Sequence, residues 1–174
     1  MLNRFTRIRL ITGIIIIMLQ IVVFRHFHLG SYSYCFFYLI ILLLYPSKNI
    51  VLNTLIGFAL GLMVDVAEDT LGMHAAVATF IGFTKPKVLS LLGLSDIKED
   101  ELWINTSSMG LIGYFSYISL VTFFHILFFS LLEASQSGLI LRVFYQTLLS
   151  TVLTLFFMMM AYFLFFNKTL KIKV

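Results

Sequence analysis

Cysteine is all but missing from this sequence: Cys35 is the only one in 174 residues. Set inside an apolar run, it excludes a disulfide framework and leaves the redox compartment open. Charge is also scarce, at 11% of residues against 60% hydrophobic. A soluble domain of this size could not hide that much apolar surface in its own core, so lipid is the expected solvent. Catalytic signatures are lacking too, with no Ser-His-Asp order, nucleotide-binding loop or zinc-ligand spacing. No internal repeat occurs, and the longest polar stretch, "GLSDIKEDELWINTSS", is only the length of a loop. The opening "MLNRFTRIRLITGIIIIMLQIVVF" is not followed by a small-residue cleavage pattern, so it reads as a retained anchor. The net charge of +4 carries no nucleic-acid signal, because the basic residues sit at segment ends and not on one patch.

What the sequence has in quantity is membrane-grade apolar runs. A spanning helix needs roughly 20 such residues, with about 17 as a lower limit. Six candidates occur, at about 8–25, 32–46, 49–67, 71–90, 109–132 and 139–166, which makes 1–174 a single all-α transmembrane domain. The second, "SYSYCFFYLIILLLYP", is short. The fourth is expected to lose regular helix near Pro86, which donates no N–H and crowds the preceding turn. With six crossings, Arg4, Arg7, Arg9, Lys48, Lys85, Lys87, Lys98, Lys168, Lys171 and Lys173 share the side of both termini. Only Arg25 and Arg142 fall opposite. Positively charged loops stay in the cytoplasm, so both termini are expected there. Tyr32, Tyr34, Tyr38 and Tyr45 read as interfacial belt and core, and Asp96, Glu99, Asp100 and Glu101, beside Lys98 and Trp103, as the largest cytoplasmic loop.

Against this background "GFALGLMVDVAEDTLGMHAA", residues 57–76, stands out by placing three carboxylates at the end of an apolar segment. Counting ~1.5 Å per residue from Asn49, Asp65 lies about 24 Å up a hydrocarbon layer roughly 30 Å thick, just beneath the outer surface. Gly57, Gly61 and Asp65 are four apart and line one side of the third helix. The two glycines let a neighbouring backbone approach closely, and Asp65 is expected to face a partner helix beyond them. With Gly72 after a short turn and Ala75 and Ala76 continuing a small-residue surface, segments three and four read as a tight hairpin. Thr147, Ser150, Thr151 and Thr154 form a second stripe, either for packing or lining a polar cavity, with Gln146 and Arg142 nearby. Gly113, Ser116, Ser119, Thr122 and His125 recur every three residues and define no single face.

Chemistry has few candidates. Asp65, Glu68 and Asp69 could share a divalent cation on a lipid phosphate, but no second acidic cluster lies on the outer side, where Glu133 is alone. His74 and His125 are either packing residues or proton carriers, and His26 and His28 flank Phe27 as interfacial anchors. No catalytic residue, metal or cofactor is expected.

"GFALGLMVD" closing helix three and "LGMHAA" opening helix four, with Gly57, Gly61, Asp65, Leu71, Gly72 and Ala75 as matching positions, resemble the MreD family of bacterial rod shape-determining proteins. The residue-level likeness covers about 55–80, whereas length and helix count agree over nearly the whole chain. The resemblance implies a six-helix fold like the substrate-binding subunits of energy-coupling-factor vitamin transporters, in the bacterial inner membrane. It also implies a non-enzymatic scaffold among membrane lipids that maintains rod shape. Its expected partners are a bitopic MreC-like protein and, indirectly, MreB, RodA and a class B penicillin-binding protein. The site residues it implies for partner binding are Gly57, Gly61, Asp65 and Gly72. The alternative is a vitamin-transporter subunit, against which stands a first helix offering only Gly13 where such subunits carry an Ala-xxx-Ala docking face.

Overall fold

A computed structural model describes residues 4–26, 33–45, 47–94, 104, 106–134 and 140–166. The expectations placed on His28, Tyr32, the acidic run Asp96–Glu101 with Trp103, and Lys98, Lys168, Lys171 and Lys173 lie outside the described residues. All regular structure among the described residues is helical: α1 (Arg4–Val22), α2 (Leu39–Leu44), α3 (Ile50–Glu68), α4 (Met73–Leu91), α5 (Thr106–Ala134) and α6 (Ile140–Ala161). Short turns of 3-10 helix at Phe24–His26 and π-helix at Tyr162–Phe166 extend α1 and α6. Four stretches are long and apolar enough to cross a membrane, Thr6–His26, Ile50–Glu68, Met109–Ala134 and Leu141–Leu164. Large apolar side chains such as Ile11, Val51, Val66, Ile112, Leu141 and Val152 stand exposed, while Gln20, Asn53, Asp65, Lys85 and His125 are buried. That is the inverse of a water-soluble protein, and it identifies a chain built for lipid.

Helices α3 and α4 form the closest pair. A Cβ on Gly57 would lie 2.2 Å from the Ala78 carbonyl oxygen, and one on Gly61 would lie 2.5 Å from the Ala75 Cα. Gly82 closes the other end in the same way, with Asn53 backbone 2.3 Å from its missing Cβ. Only three glycines let the two backbones touch, so the hairpin read from the sequence is present. Its helices meet through dispersion between main chains. The expected break at Pro86 does not occur, since α4 runs unbroken from Met73 to Leu91. Contact with α3 at Gly82 holds the helix just before the proline. The Thr84 hydroxyl donates to the Phe80 and Ile81 carbonyls in that weakened turn.

The second apolar run departs most from expectation. Its helix covers six residues, Leu39–Leu44, every one of them buried, and residues 33–36 ahead of it form no regular structure. A fully apolar run buried on all sides has no periodicity to separate extended chain from helix, so the sequence could not locate the change. Helix α5 is interrupted at Gly110, whose φ of 71° and ψ of 160° only glycine adopts readily.

Candidate functional site

The half-helix α2 and the non-helical stretch before it lie inside the bundle, where no water or lipid can hydrogen-bond their main chain. Such backbone is tolerated at membrane depth only if protein groups satisfy it. The helix-six stripe does this. Ser150 Oγ accepts the Tyr34 N–H at 2.9 Å, and Thr154 Oγ1 accepts the Phe36 N–H at 3.1 Å. Hydroxyls four residues apart on a helix are separated by about 6 Å along its axis, close to the roughly 6.6 Å between alternate residues of an extended chain. The spacing that looked like a packing stripe is therefore a rail that holds alternate N–H groups of the non-helical stretch, which runs in the same direction as α6. Thr151 donates to its own helix at Thr147 O, and the Thr147 hydroxyl is buried without a partner. Continuing the series, the Tyr38 N–H goes to Gln20 Oε1 of α1.

At the other end of α2 the carbonyls without helical partners are accounted for in turn. Lys85 Nζ donates to Leu42 O at 2.8 Å and to Tyr45 O at 2.5 Å. Tyr117 Oη donates to Leu43 O, and the Ile104 N–H reaches Leu44 O at 2.8 Å. The fully buried Lys85 thus caps a helix C-terminus, where a cation suits both the lone pairs and the dipole. Lys85, expected on the side of both termini, lies buried within α4 at the C-terminal end of the half-helix.

Asp65 also acts as a cap. Gly72 occupies the N-cap position of α4 and has no side chain to offer its first N–H groups. Asp65 supplies the missing acceptor from the preceding helix, with Oδ1 3.0 Å from His74 N and Oδ2 2.7 Å from Ala75 N, and it also accepts from the Thr70 hydroxyl. These are the N2 and N3 positions an N-cap side chain normally serves. Gly57, Gly61 and Asp65 are all buried against α4. The glycine–aspartate face is filled by the chain's own helix, so the partner helix expected there is replaced by α4.

Between the two caps the remaining polar groups converge on Tyr38. Its hydroxyl lies 3.2 Å from His74 Nδ1 and 3.0 Å from His125 Nε2. On its far side His74 Nε2 is 3.3 Å from Glu68 Oε2, and Gln20 Nε2 donates to Glu68 Oε1 at 3.1 Å. Phe36 and Phe129 pack on the imidazoles, with ring centres 5.5 Å apart for Phe36–His125 and 4.6 Å for Phe129–His74. Glu133 is less isolated than its sequence position suggests, since it accepts from Tyr34 Oη and Gln146 Nε2 and pairs with Arg142. No group of three or more His, Cys, Asp or Glu side chains suited to a metal ion occurs among the described residues. The chain of Glu68, His74, Tyr38 and His125 escaped the sequence reading because its members come from four separate segments.

Compared with protein-family models, with curated proteins and with solved structures, the chain finds no match.

Proposed function

We propose that this chain is a non-enzymatic scaffold of the bacterial inner membrane, similar to the MreD family, which helps maintain rod shape by holding an MreC-like bitopic partner. Through that partner it would act on MreB, RodA and a class B penicillin-binding protein of the peptidoglycan-synthesis complex. One observation carries the reading. Of the positions on which the resemblance rests, Gly57, Gly61, Asp65, Gly72 and Ala75 meet in one structural unit, the capped α3–α4 hairpin, while Leu71 stands exposed in its turn. Further support comes from how the other polar groups are used. The Ser150–Thr154 rail and the Lys85 cap hold the chain's own backbone, as a rigid scaffold requires. Six crossings are supported by length. Residues 33–36 at about 3.3 Å each and 37–44 at about 1.5 Å each span roughly 25 Å, close to a hydrocarbon layer of ~30 Å. With α4 on the glycine face, the partner's helix docks on a lipid-facing surface elsewhere.

The test is complementation. In a rod-shaped bacterium depleted of its own MreD, expression of this chain restores rods, and the chain co-purifies with an MreC-like protein from detergent extracts. Round cells and no co-purification, with the protein inserted and folded, overturn the reading.

A further inference from the structure

Helices α5 and α6 leave a groove of about 430 Å³ between them on the lipid side. Val152, Leu155, Phe156, Met159 and Phe163 line it from α6 and the π-turn that follows, and Phe115 lines it from α5. The five residues of the α6 side follow the i, i+3, i+4, i+7, i+11 spacing of one helical face. Leu155 and Met159 are half-buried and form its floor, whereas Val152, Phe156, Phe163 and Phe115 stand exposed as its rim. All its lining side chains are apolar. The groove is held in shape from behind. Tyr162 Oη accepts the Thr106 N–H at 3.0 Å and donates to the Thr106 hydroxyl at 3.1 Å, and its ring packs on Tyr114 with centres 4.3 Å apart. These contacts pin the end of α6 to the start of α5 on the buried side, directly behind Phe163 and Phe115. An occupant therefore meets a preformed surface and has little ordering of the protein to offset.

Length and charge select the occupant. From Val152 to Phe163 is about 16 Å at ~1.5 Å per residue, half of a hydrocarbon layer of ~30 Å. The groove stops one residue short of the end of the apolar span Leu141–Leu164, so it opens at the membrane surface and is one leaflet deep. A partner's spanning helix needs a surface twice as long, whereas an acyl chain of one leaflet matches it. At the mouth the sequence is wholly basic: Lys168, Lys171 and Lys173 follow Phe163 within ten residues, and no acidic residue occurs after Glu133. Five residues of chain reach at most ~18 Å, which keeps Lys168 near the mouth whatever path the chain takes.

We infer that the groove between α5 and α6 is a phospholipid site, taking an acyl chain of an anionic lipid from the leaflet at the C-terminal end of α6, with the headgroup phosphate drawn to the C-terminal lysines. The concave floor contacts the chain on more sides than a convex helix surface does, and the flexible thioether of Met159 adapts to it. Each lysine near the membrane surface favours an anionic headgroup by roughly fivefold.

The experiment follows the quenching of a single tryptophan by dibrominated lipid, in the full chain reconstituted into phosphatidylcholine vesicles with Trp103→Phe removing the natural fluorophore. Phe156→Trp reports from the groove. Phe58→Trp on α3 is the control, exposed like Phe156 and, like it, eight residues from the end of its span. Both changes exchange one exposed aromatic ring for another. Dibromo-phosphatidylglycerol is expected to reach half-maximal quenching of Phe156→Trp at a mole fraction about fivefold or more below that for Phe58→Trp. Dibromo-phosphatidylcholine treats the two reporters alike, and Lys168→Gln, Lys171→Gln and Lys173→Gln together abolish the difference. Equal quenching of both reporters by the anionic lipid overturns the inference. So does protection of Phe156→Trp from both lipids, the result that a second copy of the chain seated in the groove gives. A preference for the anionic lipid that survives loss of the three lysines overturns it as well.

Discussion

Asp65 illustrates how a single carboxylate in one helix can serve the main chain of the next. It stands within the last turn of a lipid-grade helix, where a free charge is costly, and all its contacts are donors from the next helix and the turn between them. The turn itself needs left-handed backbone at Asp69, Leu71 and Gly72, with φ of 57°, 52° and 87°. Glycine at the third of these positions frees the chain to reverse but forfeits a capping side chain, and Asp65 restores the cap from seven residues away in the previous helix. Asp65→Ala therefore leaves the His74 and Ala75 N–H groups buried and unpaired. The expected loss is about 2–3 kcal/mol of stability, combining a cap of ~1 kcal/mol with the penalty for orphaned donors. It is measured as a lowered denaturation midpoint in detergent. A variant as stable as the wild type would show that water reaches those groups and that the cap is dispensable.

At the scale of elements, residues 33–38 and α2 depend on side chains borrowed from four helices: Ser150 and Thr154 from α6, Gln20 from α1, Lys85 from α4 and Tyr117 from α5. Cys35 lies between the two rail contacts and is 2% exposed, so it reports on whether the stretch stays docked. Ser150→Ala with Thr154→Val removes both acceptors at a cost of roughly 1–3 kcal/mol for each orphaned N–H. The expected outcome is faster maleimide labelling of Cys35 in the double variant, with Thr154→Ser restoring protection. Unchanged labelling would mean that packing alone holds the stretch. The same elements show what the sequence made legible. The α3–α4 hairpin could be read because glycines four apart identify a helix face from one segment alone. The Ser150–Thr154 stripe was visible, but its partner was not, because a non-helical backbone carries no residue signature of its own. The capping role of Lys85 was not legible, because only the fold brings the carbonyls of α2 to it. His125 belonged to no recognisable face, since its relation to His74 and Glu68 spans three helices.

For the whole molecule, the question is which end faces the cytoplasm and how often the chain crosses, and the geometry sorts the charges into two groups. Arg9 stacks 4.9 Å from the centre of the Tyr45 ring, which places the start of α1 beside the end of α2 and Lys48. Arg25 donates to Ala67 O, which places the end of α1 beside the end of α3. Even without the buried Lys85, nine of the ten basic residues assigned to the terminal side stand against Arg25 and Arg142. Arg7, Asp69 and Lys87 are all exposed and suit single-cysteine labelling in a Cys35→Ala background. With six crossings and cytoplasmic termini, an impermeant maleimide on intact cells labels Asp69→Cys, while Arg7→Cys and Lys87→Cys react only after permeabilisation. If the second segment did not cross, positions 7 and 87 would lie on opposite faces and one of them would react in intact cells. If the bundle were inverted, position 69 alone would be protected. The three positions together thus separate the crossing of the half-helix from the direction of the fold, which neither hydropathy nor charge can do alone.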